Sequence, residues 1–230
     1  MIFEKIKYVR SILSSLYFNF HYLPFYQAIR LPILLYKPHL LSCKGSISIC
    51  PEEGGVFPGM IKLGFRKVSI YPNNGFLWEN KGGKIVFKGR CDIGNDCYLS
   101  FGPKTNVEFG DGFCMTAGGK LVSYRGVKFG KGVSFGWEVL CTDTNIHPLY
   151  DIINKQYLKA SGQIIIGDYN WFGAQCKIMH STVTPEHCIF GMGSVVTRGC
   201  EKKSYCVMGG NPVRVLTENV IRDYKHDYED

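Results

Sequence analysis

The chain has 230 residues, 45% hydrophobic and 14% aromatic, with a formal net charge of +8. That is enough apolar material for a sizeable core, which excludes a disordered chain and a disulfide-stapled miniprotein. No apolar run is long enough to cross a bilayer, and no recognised motif marks nucleic acid as a partner.

Residues 1–40 predict an N-terminal helical segment. Met1–Tyr22 reads as a helix with Ile6, Val9, Leu13, Leu16, Tyr17 and Phe20 on its apolar side, limited by Pro24. Its surroundings are basic: Lys5, Lys7, Arg10, Arg30 and Lys37 stand against Glu4 alone. The helix is expected to dock on the rest of the protein, with peripheral contact at a membrane surface as the alternative. Charges at Glu4, Lys5, Lys7 and Arg10 interrupt the start, so no secretory leader is expected. Ten cysteines without a Cys-x-x-Cys pair argue against a zinc knuckle and suit a reducing, cytoplasmic location.

Residues 41–216 form the second expected unit. Residues 45–86 contain Ile47, Ile49, Ile61, Leu63, Val68 and Ile70 among Gly and Pro, which predicts short strands in irregular early coils. From Phe87 a six-residue period takes over. Its large apolar members are Phe87, Ile93 and Leu99, then Phe109, Met115 and Leu121, then Phe129, Phe135 and Cys141. A last unbroken run is Ile166, Phe172, Ile178, Thr184, Phe190 and Val196, and only Cys141 and Thr184 are weak members of the set. Gly often follows the apolar residue, as at Gly94, Gly110, Gly130, Gly136, Gly167, Gly173 and Gly191. Four places on, the residue is usually small: Cys91, Cys97, Gly119, Val133, Cys176, Thr182, Cys188 and Ser194. A helix would repeat near 3.6 and a lone strand at 2. A period of six predicts triangular coils of three short strands, with large and small residues both pointing inward. The glycines are expected to supply unusual backbone angles at the turns, and the column cysteines to act as small hydrophobes.

The period fails between Cys141 and Ile166. An insertion must leave such a stack as a protruding loop, here over 142–164, and loops on rigid scaffolds are where catalytic groups tend to lie. This loop opens with Asp143-Thr144-Asn145-Ile146-His147-Pro148. His147 is a candidate general base. Asp143 either orients or charge-stabilises it, or caps the loop backbone. The remaining residues, 217–230, are charged and predict a short helix from Glu218 with a frayed end.

The repeat and this segment together resemble the hexapeptide-repeat acyltransferases, in particular the maltose and galactoside type of sugar and polysaccharide O-acetyltransferases. Those usually read Asp-Thr-Asp-x-His-Pro, and here Asn145 replaces the second Asp. The resemblance implies a mainly β fold, a left-handed parallel β-helix with an N-terminal helical segment and a short C-terminal helix. It implies acetyl-CoA as acyl donor, no metal, a sugar or glycan acceptor and a homotrimer with sites between subunits. His147 would be the base. Residues 191–198 and 209–214 carry the second match, where the family commonly has Ala in place of Met192 and Val213. The implied cofactor contacts are Trp171, Gly173, Ala174, Met192, Thr197, Arg198 and Arg214. Arg can grip phosphates with paired donors, while Lys202 and Lys203 read as solvated surface charge.

Two other functions use the same architecture. A γ-type carbonic anhydrase needs three metal-binding histidines, for which His147, His180 and His187 are available, the last two in ordinary coil positions. A non-enzymatic scaffold would need neither the His147 loop nor Arg198 and Arg214. The acceptor, the choice between O- and N-transfer and the acyl length stay open at this level.

Overall fold

Every third member of the six-residue series lands on the same face. In the computed structural model, which describes residues 2–224 and side chains from Ser11 onward, Ile93, Met115, Phe135, Phe172 and Phe190 stand in register on one parallel sheet. Leu99, Leu121, Cys141, Ile178 and Val196 share a second face. Phe87, Phe109, Phe129 and Ile166 share a third. The result is a parallel β-helix. Two long early strands, Pro38–Ile49 and Phe76–Phe87, each bend across the corner between the second and third faces and join them into one sheet.

Early coils therefore differ from the expectation of short strands throughout. Ile47, Ile49, Ile61 and Leu63 do lie buried in strands. Val68 and Ile70 do not, because the chain leaves the sheet after Phe65 and Ile70 is 70% exposed.

The interior is a column of aromatic rings. Phe87, Phe109 and Phe129 stack at 5.1 and 5.4 Å, and Phe172 lies parallel to Phe190 at 4.4 Å. The small column also points inward: Cys91, Cys97, Val133, Cys176, Thr182, Cys188 and Ser194 are all buried. At Gly119 a Cβ would sit 2.5 Å from the Met115 sulfur, so a larger residue there would have to displace that side chain.

The glycine column has a different cause from the one expected. None of Gly94, Gly110, Gly130, Gly136, Gly167, Gly173 and Gly191 has positive φ. Six of the seven are small because the next coil passes close by, and only at Gly191 is the nearest atom as far as 3.6 Å. A Cβ on Gly94 would meet the Thr116 carbonyl oxygen at 1.8 Å, and one on Gly167 the Pro185 oxygen at 2.4 Å. Positive φ falls instead at the corners, on Asp96, Gly118, Glu138, Gln175 and Gly193 at one and on Gly112, Gly132, Tyr169, His187 and Tyr205 at another.

Both open ends of the stack are covered. At the first coil, α1 (Ile2–Tyr22) lies against the strand Ile33–Leu35, and α2 (Phe25–Ala28) packs on α1. Ser15 Oγ accepts the Leu35 N–H at 2.9 Å, and Asn19 takes the Ile33 N–H and donates to its carbonyl at 2.7 Å. These bonds satisfy an edge that would otherwise invite pairing with another chain. At the far end Val213–Glu218 returns antiparallel on Cys206–Gly210. The helix expected from Glu218 is absent through residue 224; residues 225–230 lie outside the described residues. The tail's groups find partners on the coils instead. Val220 N–H donates to the Tyr205 carbonyl, and the Arg222 guanidinium sits 4.5 Å from the Trp171 ring and 4.6 Å from Tyr224.

Candidate active site

The insertion is a hairpin. The chain leaves the second face at Thr142 and re-enters the third at Ile164. Thr144 bridges Ser161, Asn145 N–H donates to the Ala160 carbonyl, and Tyr150–Asp151 pairs antiparallel with Gln156–Tyr157. Asp151 folds the tip by accepting the N–H groups of Ile153 and Asn154, both at 2.9 Å. The Asn154 N–H, together with the Asn154 side-chain amide at 2.8 Å and then the Ile153 N–H, lowers the Asp151 carboxyl from its ordinary value. A loop that closes its own hydrogen bonds can carry a side chain at a fixed position.

Asp143 secures the root. Its carboxylate is fully buried and accepts the Ser123 hydroxyl and the N–H groups of Tyr124, Arg125 and Gly126, each at 2.7–2.8 Å. Both oxygens are thus engaged by the preceding coil, and no hydrogen bond joins Asp143 to His147 among the described residues. Beyond Asp143 the chain turns sharply. Ile146 has φ +64, its N–H donates to Thr144 Oγ1, and His147 N–H donates to the Asn145 carbonyl at 2.6 Å. The turn leaves His147 exposed, outside the stack.

One side of the hairpin roofs a cleft of about 440 Å³. Asn145, Leu149, Leu158 and Lys159 come from the hairpin; Met179, His180, Thr197 and Arg198 come from two successive coils. No carboxylate lines it, and its donors include a guanidinium, an ammonium, an amide and a hydroxyl. His180 Nε2 lies 3.3 Å from Asn145 Nδ2, and its Nδ1 lies 3.2 Å from Ser181 Oγ. With the Asn145 amide as donor, the His180 ring carries its proton on Nδ1. Ile146 and Pro148, on either side of His147, line the hairpin's opposite face with Lys104, Tyr124 and Arg125.

The other sequence candidates sit elsewhere. Trp171, Gly173, Ala174 and Met192 follow the first face; Met192 is 73% exposed. Gly173 N–H is already given to the Phe190 carbonyl at 2.8 Å, and the Ala174 carbonyl accepts the Gly193 N–H. Gly173 therefore has no amide to offer a ligand. Arg214 is exposed on the closing strand, opposite Gly209. Within one chain, then, Thr197 and Arg198 join the hairpin while Arg214 does not line its cleft. Sequence reading weighed His180 only as a metal ligand of the carbonic anhydrase alternative, because it looks like any coil residue until the hairpin folds across it.

His187 is stacked between Tyr169 and Tyr205, with ring centroids at 4.9 and 4.7 Å. It belongs to a different corner from His180, and the histidines of the carbonic anhydrase alternative are not gathered. Among the described residues no three His, Cys, Asp or Glu side chains form a metal-holding group.

No protein-family model matches the chain. A polysialic acid O-acetyltransferase of Escherichia coli O1:K1 is 29% identical over 157 residues, 67% of this chain and 44% of that protein. A Staphylococcus aureus protein named as an acetyltransferase is 33% identical over 73 residues, 32% of this chain and 36% of its own length. The curated relatives are named as acetyltransferases. The matched segments span less than half the length of these relatives. A solved polysialic acid O-acetyltransferase aligns over 84% of this chain and 91% of its own at 17% identity and a TM-score of 0.47. A galactoside acetyltransferase solved with coenzyme A aligns over 98% and 86% at 16% identity and a TM-score of 0.36. The names of the curated relatives fall in the group of proteins to which the His147 segment and residues 191–214 pointed.

Proposed function

We propose that this protein transfers an acetyl group from acetyl-CoA to a hydroxyl of a sugar or polysaccharide precursor. The observation that carries the reading is the His147 hairpin standing over a cleft with Arg198, Lys159 and His180 and no carboxylate. A cleft of that chemistry suits the phosphates of a CoA thioester. The relatives' names supply the class of acceptor, and a polymer of acidic sugar suits a chain of net charge +8.

A sugar hydroxyl does not ionise at neutral pH. His147 accepts its proton as the oxygen attacks the thioester carbonyl, an assistance of roughly 10²–10⁴-fold. The carbonyl oxygen gains negative charge and needs an N–H donor, for which Ala174 is the available amide. As the carbon–sulfur bond breaks, the protonated His147 returns the proton to the leaving thiolate. Asp143 acts through the backbone, by fixing the root of the hairpin. No acyl-enzyme is involved: both substrates are held together in a ternary complex.

The working unit is a homotrimer of left-handed β-helices, with His147 of one subunit facing the Trp171 and Ala174 corner of the next. Ile152 and Ile153, 82% and 85% exposed at the hairpin tip, supply the apolar contact. Acetyl-CoA supply and unpaired cysteines suit the cytoplasm.

The test is incubation with acetyl-CoA and a panel of nucleotide sugars and glycans, read by mass gain of one acetyl group. His147→Ala should abolish transfer while coenzyme A still binds. Wild-type turnover in that variant would overturn the assigned base, and failure of the native protein to bind coenzyme A would favour the scaffold alternative.

A further inference from the structure

The helix α1 carries apolar side chains on both of its sides. Its inner side buries Phe18 against Trp78, 5.3 Å between ring centroids, beside Ser11, Ser15 and Asn19, and Ser15 and Asn19 bond the backbone of Leu35 and Ile33. Its outer stripe is apolar, with Leu13, Tyr17 and Phe20 between 48% and 61% exposed. The same surface continues on and just after α2, where Phe25 and Tyr26 are 72% and 66% exposed and Ile29 55%; the Phe20 and Phe25 rings lie 6.0 Å apart. A surface helix in water keeps its outer face polar. Because Ser15 and Asn19 are bonded to a strand edge and Phe18 is packed in the core, the helix cannot roll over to bury its outer apolar side.

Charge identifies what covers that side. No Asp or Glu occurs between Glu4 and Glu52, while Lys5, Lys7, Arg10, Arg30, Lys37 and Lys44 all fall in that interval. Arg30 and Lys44 are exposed. A segment that is basic and acid-free in sequence and carries an aromatic-rich apolar plate is complementary to an anionic lipid surface, with Tyr and Phe at headgroup depth. No helix of the described residues is long and apolar enough to cross a membrane, so the plate rests on the surface. We propose that α1 and α2 form a membrane-surface platform for anionic bilayers, with the β-helix axis carried away from the lipid. This inference does not depend on the acetyltransferase reading.

Flotation of the full-length protein with phosphatidylcholine vesicles, with and without 30% phosphatidylglycerol, tests it. Binding should be at least about tenfold stronger to the anionic vesicles and fall with added salt. The variant Leu13→Ser/Tyr17→Ser/Phe20→Ser leaves the buried side intact and should lose about tenfold or more in partitioning, with an unchanged circular dichroism spectrum and melting temperature. No flotation of the folded native protein, or undiminished flotation of the triple variant, would overturn the proposal. So would efficient disulfide cross-linking of Tyr17→Cys between copies that vesicles do not compete away, since that would give the plate to a second copy. If the triple variant misfolds, Phe25→Ser/Tyr26→Ser, beyond the helix, provides the same readout.

Discussion

The Asp143 carboxylate accepts the Gly126 N–H at 2.7 Å, tying the root of the inserted hairpin to the coil below it. Three more donors, from Ser123, Tyr124 and Arg125, converge on the same group. Asp143→Ala would leave them unpaired in a buried place, at a cost of about 3–5 kcal/mol. Urea unfolding should register that loss, and Asp143→Asn, which keeps the shape but only part of the acceptor capacity, should lose less.

Asn145 and His180 join the hairpin to the coil beneath it, beside Arg198. In the proposed reaction Arg198→Ala removes a charge-assisted contact to the acyl donor. The Michaelis constant for acetyl-CoA should rise about tenfold or more while kcat changes little. His180→Ala should loosen the hairpin, lowering kcat without preventing coenzyme A binding. Initial rates at varied acetyl-CoA separate the two.

The glycine column can be tested by contrast. Gly94→Ala places a methyl 1.8 Å from the Thr116 oxygen, whereas at Gly191 the nearest atom is 3.6 Å away. Gly94→Ala should destabilise by about 3 kcal/mol or more through forced separation of two coils, and Gly191→Ala by less than about 1 kcal/mol. Equal melting temperatures for the pair would contradict the close-approach explanation.

Burial raises the small-column thiols of Cys97 to about 12 and Cys176 to about 11, and that of buried Cys200 to about 11, from an ordinary value of 9.0. A thiol that stays protonated in the fold contributes stability that is complete below the unfolded value. That contribution is lost as pH rises through the folded values. Stability should therefore be insensitive to these groups below about pH 8 and decline between about pH 9 and 12. In native protein at neutral pH a thiol reagent should label exposed Cys50 first and the buried cysteines only on unfolding.

Ile152 and Ile153 at the hairpin tip are the proposed trimer contact. Ile152→Asp/Ile153→Asp should shift the mass seen by light scattering from trimer to monomer and abolish transfer, with the monomer's circular dichroism unchanged.

The amino-acid sequence by itself determined the β-helix. Inward and outward positions are a local property of each short strand, so the columns Phe87–Phe109–Phe129 and Ile93–Met115–Phe135 are legible as a six-residue rhythm. It also marked the hairpin, because an insertion can only leave such a stack. Tertiary structure alone decided what faces what. His180 lies 35 positions from Asn145 and meets it only because the intervening coil returns beneath the hairpin. The glycines needed the neighbouring coil to explain them, since a steric limit set by another segment leaves no local signature. The direction of α1 and the extended path of residues 219–224 followed from free strand edges and aromatic faces offered by distant residues, which no local propensity records.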